Sequence, residues 1–283
     1  MAFENRAQIR NLVRAKLQAW PEQVTTLAAA VTDSAGNTIT LASASDLIPR
    51  QLLEVDSEVM RIKDVTAAPV ISVLRGDQGS NPTAHANAAT IKSYPFWGWT
   101  DFELNQLINL AIDWTFPEIW YPKWYANTFL ANQKEFGLPA GVSYPDGEQI
   151  KRVEILRADG FYKPVYNWRH EHDRIIFEHP MDQAYTARIL VHGKHIRFEN
   201  DSTPMHDSNA VMPVIQYATS KALENLLGAR TRFAEYSATL NDRASTPDEL
   251  QRQVYFFYNQ AILAKDQASR VPLSGFASVR RSG

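Results

Sequence analysis

The hydrophobic positions change period several times along the chain. In residues 3–20, Ile9, Leu12, Val13, Leu17 and Trp20 share one face at helical spacing, which predicts a helix stopped by Pro21. Arg6, Arg10 and Arg14 stand four apart beside that face, a solvated flank or, alternatively, a docking or phosphate-contacting stripe. Residues 24–95 switch to period two. Thr38–Leu41 follow a Ser-Ala-Gly-Asn turn and read as part of a hairpin. Leu53–Val55, Val59–Ile62 and Val70–Leu74 read as strands, closed by Arg75-Gly76-Asp77-Gln78-Gly79, whose glycines tolerate positive φ. The segment predicts a small barrel or sandwich of five or six strands ending near Pro95.

Helical spacing returns at residues 100–116. Thr100 and Glu103 have capping-box spacing, Leu104, Leu107, Ile108, Ala111 and Ile112 form the stripe, and Pro117 ends it. Residues 120–130 read as a second, shorter helix packed by its aromatics, and Gly137-Leu138-Pro139-Ala140-Gly141 break the helical region. Residues 148–198 are strand-like again at 151–156, 174–178 and 185–192, with Asp159-Gly160, Pro180 and His192-Gly193 between. One further antiparallel sheet of about four strands follows from that. Ile215, Ala218, Ala222, Leu226, Ala229 and Phe233 predict one long helix over 207–240. Thr246-Pro247-Asp248-Glu249 begins another that runs to about Ala268.

The expected fold class is therefore α+β. It consists of a helical bundle (N-terminal helix, central helices, two long C-terminal helices) with two inserted antiparallel β modules. The bundle takes 1–21, 97–140 and 205–268, the first β module 22–96 and the second 141–204. Residues 269–283, rich in Ser and Gly, make an extended C-terminal arm with no core of its own.

Composition narrows the function by exclusion. The net charge of −2 gives no overall attraction to nucleic acid or acidic membranes. With no cysteine, there is no disulfide, thiolate metal site or thiol nucleophile. No segment has the roughly 20 apolar residues of a membrane span, and the N-terminus lacks an apolar run of signal-peptide length, so no membrane partner is expected. No phosphate loop, His-Glu-x-x-His or Gly-x-Ser-x-Gly occurs, so no enzyme activity and no cofactor are expected. The best metal-like cluster, His170-Glu171-His172-Asp173, reads as an exposed polar loop before a strand, and no catalytic or metal residue is assigned. Arg75-Gly76-Asp77 spells an adhesion tripeptide, a triplet that recurs by chance.

The stretch from Glu58 to Ile91 is the least generic. Glu58, Met60 and Arg61 lead into Val73, Arg75, Gly76 and Gly79, followed by Ser80 and by Ala84-His85. This order resembles a module of tailed-bacteriophage neck and tail proteins, with Ser80 where threonine is usual. The helix opening at Trp99–Asn109 and the late helix from Pro213 to Tyr236 resemble those of head–tail connector (adaptor) proteins. The second β region lies outside that pattern.

The resemblance implies a structural virion protein of the phage neck, present in the host cytoplasm during assembly. It implies a homo-oligomeric ring, usually of about twelve copies, with head-to-tail contacts. Its partners would be the portal protein and the tail or next neck protein. Genomic DNA would pass through the lumen without sequence-specific binding, which a near-neutral chain suits. An alternative is a tail or baseplate protein whose β module binds a host glycan, which needs exposed aromatics on that module. A cell-wall hydrolase is a third reading, opposed by the missing motifs.

Three residue sets follow. Glu58, Arg61, Arg75, Gly76, Gly79 and His85 form the structural turn of the first β module. Arg75 is expected in an internal ion pair or capping turn carbonyls, with His85 packed near it. Trp97, Trp99, Trp114, Trp120 and Trp124 are bundle or interface aromatics. Arg270, Phe276, Arg280 and Arg281 would carry the arm's docking to the portal.

Overall fold

The computed structural model describes residues 4–44, 46–138, 149–171, 174–205, 207–239 and 246–270. Among the described residues there are five α-helices and thirteen strands in three antiparallel sheets. The chain divides into two units, Met1–Ala111 with Phe198–Gly283, and Ile112–Arg197.

The first unit opens with α1 (Arg6–Leu17). The Asn5 side chain accepts from the Gln8 amide at 2.9 Å and the Gln8 side chain accepts from the Asn5 amide at 2.9 Å, a reciprocal cap. Ile9, Val13 and Leu17 are buried, and Gln18, left-handed at φ 52°, ends the helix before Pro21 is reached.

Six strands follow: β1 (Gln23–Thr26), β2 (Thr38–Thr40), β3 (Leu52–Val55), β4 (Glu58–Asp64), β5 (Val70–Leu74) and β6 (Thr90–Tyr94). Their spatial order is β1-β6-β3-β4-β5-β2. Leu27 and Leu41, just beyond the two edge strands, bridge antiparallel. The Ala28 amide donates to the Thr40 carbonyl and the Ala42 amide to the Thr26 carbonyl, each at 2.9 Å. The edges thus meet and the sheet curls into a small barrel, which removes most of its exposed edge. Leu27, Ile39, Leu41, Leu53, Val55, Met60, Ile62, Ile71, Val73 and Ile91 fill the interior. Each such side chain removed from water contributes about 1.5–3 kcal/mol. The central strands are covered outside as well, where Leu52, Val59 and Tyr94 pack with Phe96 and Phe102.

Four further helices follow: α2 (Asp101–Thr115), whose last residues Ile112–Thr115 fall in the second unit, and α3 (Val211–Gly228), α4 (Arg230–Thr239) and α5 (Pro247–Arg270) in the first. Helix α3 is buried along most of its length and packs on α1 and α5. Helix α5 starts where Thr246 and Glu249 cap each other: the Glu249 amide donates to the Thr246 hydroxyl at 3.2 Å, and the Glu249 carboxylate accepts from the Thr246 amide at 3.1 Å.

The second unit holds β7 (Tyr121–Phe129), β8 (Glu135–Gly137), β9 (Gln149–Leu156), β10 (Tyr162–Val165), β11 (Trp168–Glu171), β12 (Arg174–Phe177) and β13 (Tyr185–Gly193). They form a four-stranded sheet, β10-β9-β13-β7, and a three-stranded one, β11-β12-β8. Phe129, Val153, Ile155 and Ile189 from the first share one core with Phe136, Ile175 and Phe177 from the second. The arrangement is a small sandwich.

A helical bundle with two inserted β modules is therefore not the architecture; strands outnumber helices, in three sheets. The main error lies at residues 120–130, expected as a helix and found as strand β7. There Tyr125 and Phe129 turn into the core while Trp124, Ala126 and Thr128 are exposed, a period of two. With β8 also a strand, residues 97–140 supply only α2 to the helices. Two smaller expectations also change. Thr38–Thr40 pair with β5, not in a hairpin with the strand before them. The helix over 207–240 breaks at Ala229, whose φ −97° and ψ 86° are not helical. The three- and four-residue spacing continues across that break, so periodicity does not reveal it.

Candidate functional site

The turn residues of the first β module converge on one buried carboxylate. Glu58 opens β4 with its side chain fully enclosed. Its Oε1 accepts from Arg75 Nε and its Oε2 from Arg75 Nη2, both at 2.6 Å. The Thr83 amide adds a bond of 2.9 Å and the Gly76 amide one of 3.3 Å. His85 places Nε2 at 2.8 Å from Glu58 Oε2 and Nδ1 at 2.9 Å from Asp56 Oδ2. Arg75 also donates to the carbonyls of Asp33, Gly36 and Thr83. Burial alone would raise the Glu58 carboxyl; bonds from Arg75, Thr83 and His85 and the Arg75 charge outweigh it and hold the carboxyl below its ordinary range.

The glycines make this geometry possible. Gly76 sits at φ 68°, and a Cβ there would lie 3.0 Å from both the Pro82 ring and the Ser80 carbonyl. Gly79 sits at φ 78° with open space around it. Arg61 is one step removed: its Nε is 2.6 Å from Asp77 Oδ2, in the turn between those glycines. Glu58, Arg75 and His85 are turned inward, while Asp56 and Arg61 reach the surface; the buried part fixes the loop. Among the described residues no group of His, Asp or Glu could hold a metal ion.

A second buried cluster joins the barrel to α1 and α2. The Glu54 carboxylate, from β3, accepts from the Asp101 amide at 2.7 Å and the Phe102 amide at 2.6 Å, capping the start of α2. Asp101 receives Arg14 at 2.7 Å, Arg10 at 3.0 Å and Lys92. Arg10 and Arg6 both reach Asp201 at 2.8 Å. Burial, reinforced by the Asp101 charge and partly offset by the two amides, raises the Glu54 carboxyl to about 7. For Asp101 burial works the same way, but Arg10, Arg14 and Lys92 prevail and lower it. Bonds from Arg10, above all, bring Asp201 down to about 2.

The arginine stripe is therefore neither a solvated flank nor a phosphate contact, since Arg10 and Arg14 are buried in ion pairs. Sequence reasoning missed Asp101 and Asp201 as their partners and Glu54 as the cap of α2. One signal was present: Glu54 is a lone charge inside the apolar run Leu52–Val55. Glu103 departs from its expected role too. Its amide donates to the Thr100 hydroxyl at 3.2 Å, while its carboxylate goes to Arg232 at 3.0 Å.

The five tryptophans do not form one cluster. Trp99 is buried, donates to the Ala222 carbonyl at 3.1 Å and meets Trp97 edge-on at 6.1 Å. Trp97 also meets Tyr236 at 5.1 Å and lines a groove of about 420 Å³ with Ile48, Arg50, Pro95, Phe96 and Glu235. Trp114, Trp120 and Trp124 belong to the second unit, where Trp120 stacks on His192. Burial, and secondarily Lys151, lowers His192 to about 3.

Helix α5 carries an exposed apolar row. Tyr255 and Phe256 are 58% and 57% exposed, and Ile262 and Leu263, one heptad on, 44% and 53%. Leu250 and Ala261 on the same helix are buried. Arg270 ends α5, and its side chain, with Phe276, Arg280, Arg281, His172 and Asp173, lies outside the described residues. No protein-family model matches this chain, and no curated protein matches it.

Proposed function

We propose that this chain is a structural head–tail adaptor of a tailed bacteriophage, a ring subunit between portal and tail that lets DNA pass. The observation that carries the reading is the outer row of α5, Tyr255, Phe256, Ile262 and Leu263, on a helix whose other side is packed. Four large apolar side chains in register over two turns are more than scattered surface residues, and they mark a protein contact. A ring needs two different surfaces that meet head to tail, and the α5 row supplies one.

Two further features support it. The residues that carry the resemblance to phage neck proteins, Glu58, Arg75, Gly76, Gly79 and His85, all serve one inward-facing lock. A module held in this way keeps its shape under load, as a ring joint requires. The net charge of −2 leaves a lumen that does not trap DNA by overall charge. The C-terminal arm, expected from 269 but with Ser269 and Arg270 still in α5, would dock on the portal.

Electron micrographs of the purified protein, alone and mixed with portal, test the reading. Rings with a central hole, free or seated on the portal, are the expected result. A protein that stays monomeric in the presence of portal overturns it.

A further inference from the structure

A different surface, within the second unit, has chemistry that the ring reading does not use. On β7, β13, β9 and β10 the side chains facing away from the Phe129–Ile189 core include Trp124, Arg188, Glu154, Arg152 and Tyr162. They are diagonal or direct neighbours across all four strands, with Arg188 opposite Glu154 and Leu190 opposite both Trp124 and Arg152. The guanidinium carbon of Arg188 lies 4.5 Å from the Trp124 ring centre and 4.3 Å from that of Tyr162. Its Nε donates to Glu154 Oε2 at 2.5 Å, and Arg152 Nη2 is 2.6 Å from Glu154 Oε1.

One buried carboxylate thus serves two guanidiniums. Both its oxygens are engaged, and the row retains one net positive charge. The Nη groups of Arg188 make no hydrogen bond among the described residues, and the Nε of Arg152 is buried without a hydrogen-bond partner. Both arginine side chains are about two-fifths exposed and Trp124 is 39% exposed. A latch that only held the sheet together would be complete with one arginine. The second guanidinium and the exposed indole are the surplus that a ligand would use.

We propose that this sheet face binds an anionic saccharide. Its carboxylate or sulfate is received by the free Nη donors of Arg188 with Arg152, and an adjoining pyranose ring lies on the Trp124 indole. A fork of two N–H donors matches a carboxylate or sulfate edge. An aromatic face accepts the C–H side of a sugar, and the row offers a fork of donors and a ring side by side, the pairing an acidic sugar presents. The aromatic contacts hold the Arg188 fork in place before the ligand arrives, which lowers the entropy cost of binding. The inference does not depend on ring formation.

The test is binding of the full chain to polygalacturonate and dextran sulfate, with neutral dextran and poly-glutamate as controls. The expected result is binding to one or both anionic polysaccharides and to neither control. Trp124→Leu and Arg188→Lys should each weaken it about tenfold or more, a loss of about 1.4 kcal/mol. Arg188→Lys keeps the charge and loses the fork; Trp124→Leu keeps an apolar side chain and loses the ring. Thermal melts of both variants within a few degrees of the parent show that the fold is intact. Should either unfold, Trp124→Phe and Arg152→Lys replace them, with the same direction of effect expected. No binding to either polysaccharide overturns the proposal. So does equal binding to poly-glutamate, or binding that intact variants leave unchanged, since either is plain polyelectrolyte attraction.

Discussion

Arg75 and Glu58 meet through two bonds of 2.6 Å each, Nε to Oε1 and Nη2 to Oε2, with both side chains essentially out of water. They stand at opposite ends of the sequence between β4 and the turn after β5. The pair thus ties together the first half of the stretch whose residue pattern is least generic.

Removing one partner leaves the other charged, buried and alone. Arg75→Ala should therefore destabilise the fold by about 3–5 kcal/mol, seen as a lower midpoint in urea. Arg75→Ala combined with Glu58→Gln should cost less than the sum of the two single changes, because no charge is then left unpaired. An Arg75→Ala protein with unchanged stability would show that the pair holds nothing.

The two glycines of that turn should differ. Both have positive φ, so alanine costs about 1 kcal/mol at either from backbone strain alone. At Gly76 the added Cβ also meets the Pro82 ring and the Ser80 carbonyl at 3.0 Å, whereas at Gly79 it meets nothing within 4 Å. Gly76→Ala should thus be clearly more destabilising than Gly79→Ala in parallel thermal melts. Equal losses would mean that the turn relaxes away from Pro82.

The first barrel was legible in the sequence and the second unit much less so, for a physical reason. Strands such as Val70–Leu74 are short, rich in β-branched residues and bounded by Pro69 and Gly76, and only every second residue is buried. The run Tyr121–Phe129 alternates too, but its aromatic density drew attention to packing instead of period. The Thr246 helix start was readable because capping is local chemistry. The ion pairs of Arg10 and Arg14 were not, because Asp101 lies 87 residues from Arg14 and Asp201 lies 191 residues from Arg10. Distant partners leave no mark on local spacing. What a stripe of arginines faces is decided by tertiary packing alone.

Glu54 should give the protein an unusual pH response. Its carboxyl is raised to about 7 in the folded chain, against an ordinary 4.5. Below 4.5 both states hold the proton and Glu54 contributes no pH dependence. Between 4.5 and 7 the unfolded chain loses it first, so stability falls as pH rises, and above 7 the loss is complete. The full effect is about 3 kcal/mol at most. Asp101, Glu58 and Asp201, all lowered, act in the opposite sense and lose their contribution as pH falls toward acid. Glu54→Gln isolates the first effect. It gives up one acceptor at the start of α2, a roughly constant cost, but removes the titration. The stability difference between parent and variant, measured from pH 4.5 to 8, should therefore shift in favour of the variant as pH rises to 7. A flat difference would show that Glu54 is ionised throughout.

The α5 row makes the sharpest prediction about assembly. Phe256 and Leu263 are more than half exposed and seven residues apart, so they lie on one side of the helix about two turns from each other. Replacing both with glutamate puts two charges on a face that makes little contact within the subunit, so the fold should keep its melting temperature within a few degrees. In a ring the same charges would be buried against a neighbour without partners, at a cost of several kcal/mol per contact. Repeated around a closed ring, that penalty should abolish assembly. Sedimentation of the F256E/L263E protein with portal should then show a folded monomer where the parent forms a large complex. Normal complexes from the variant would place the subunit contact elsewhere and remove α5 from the ring interface.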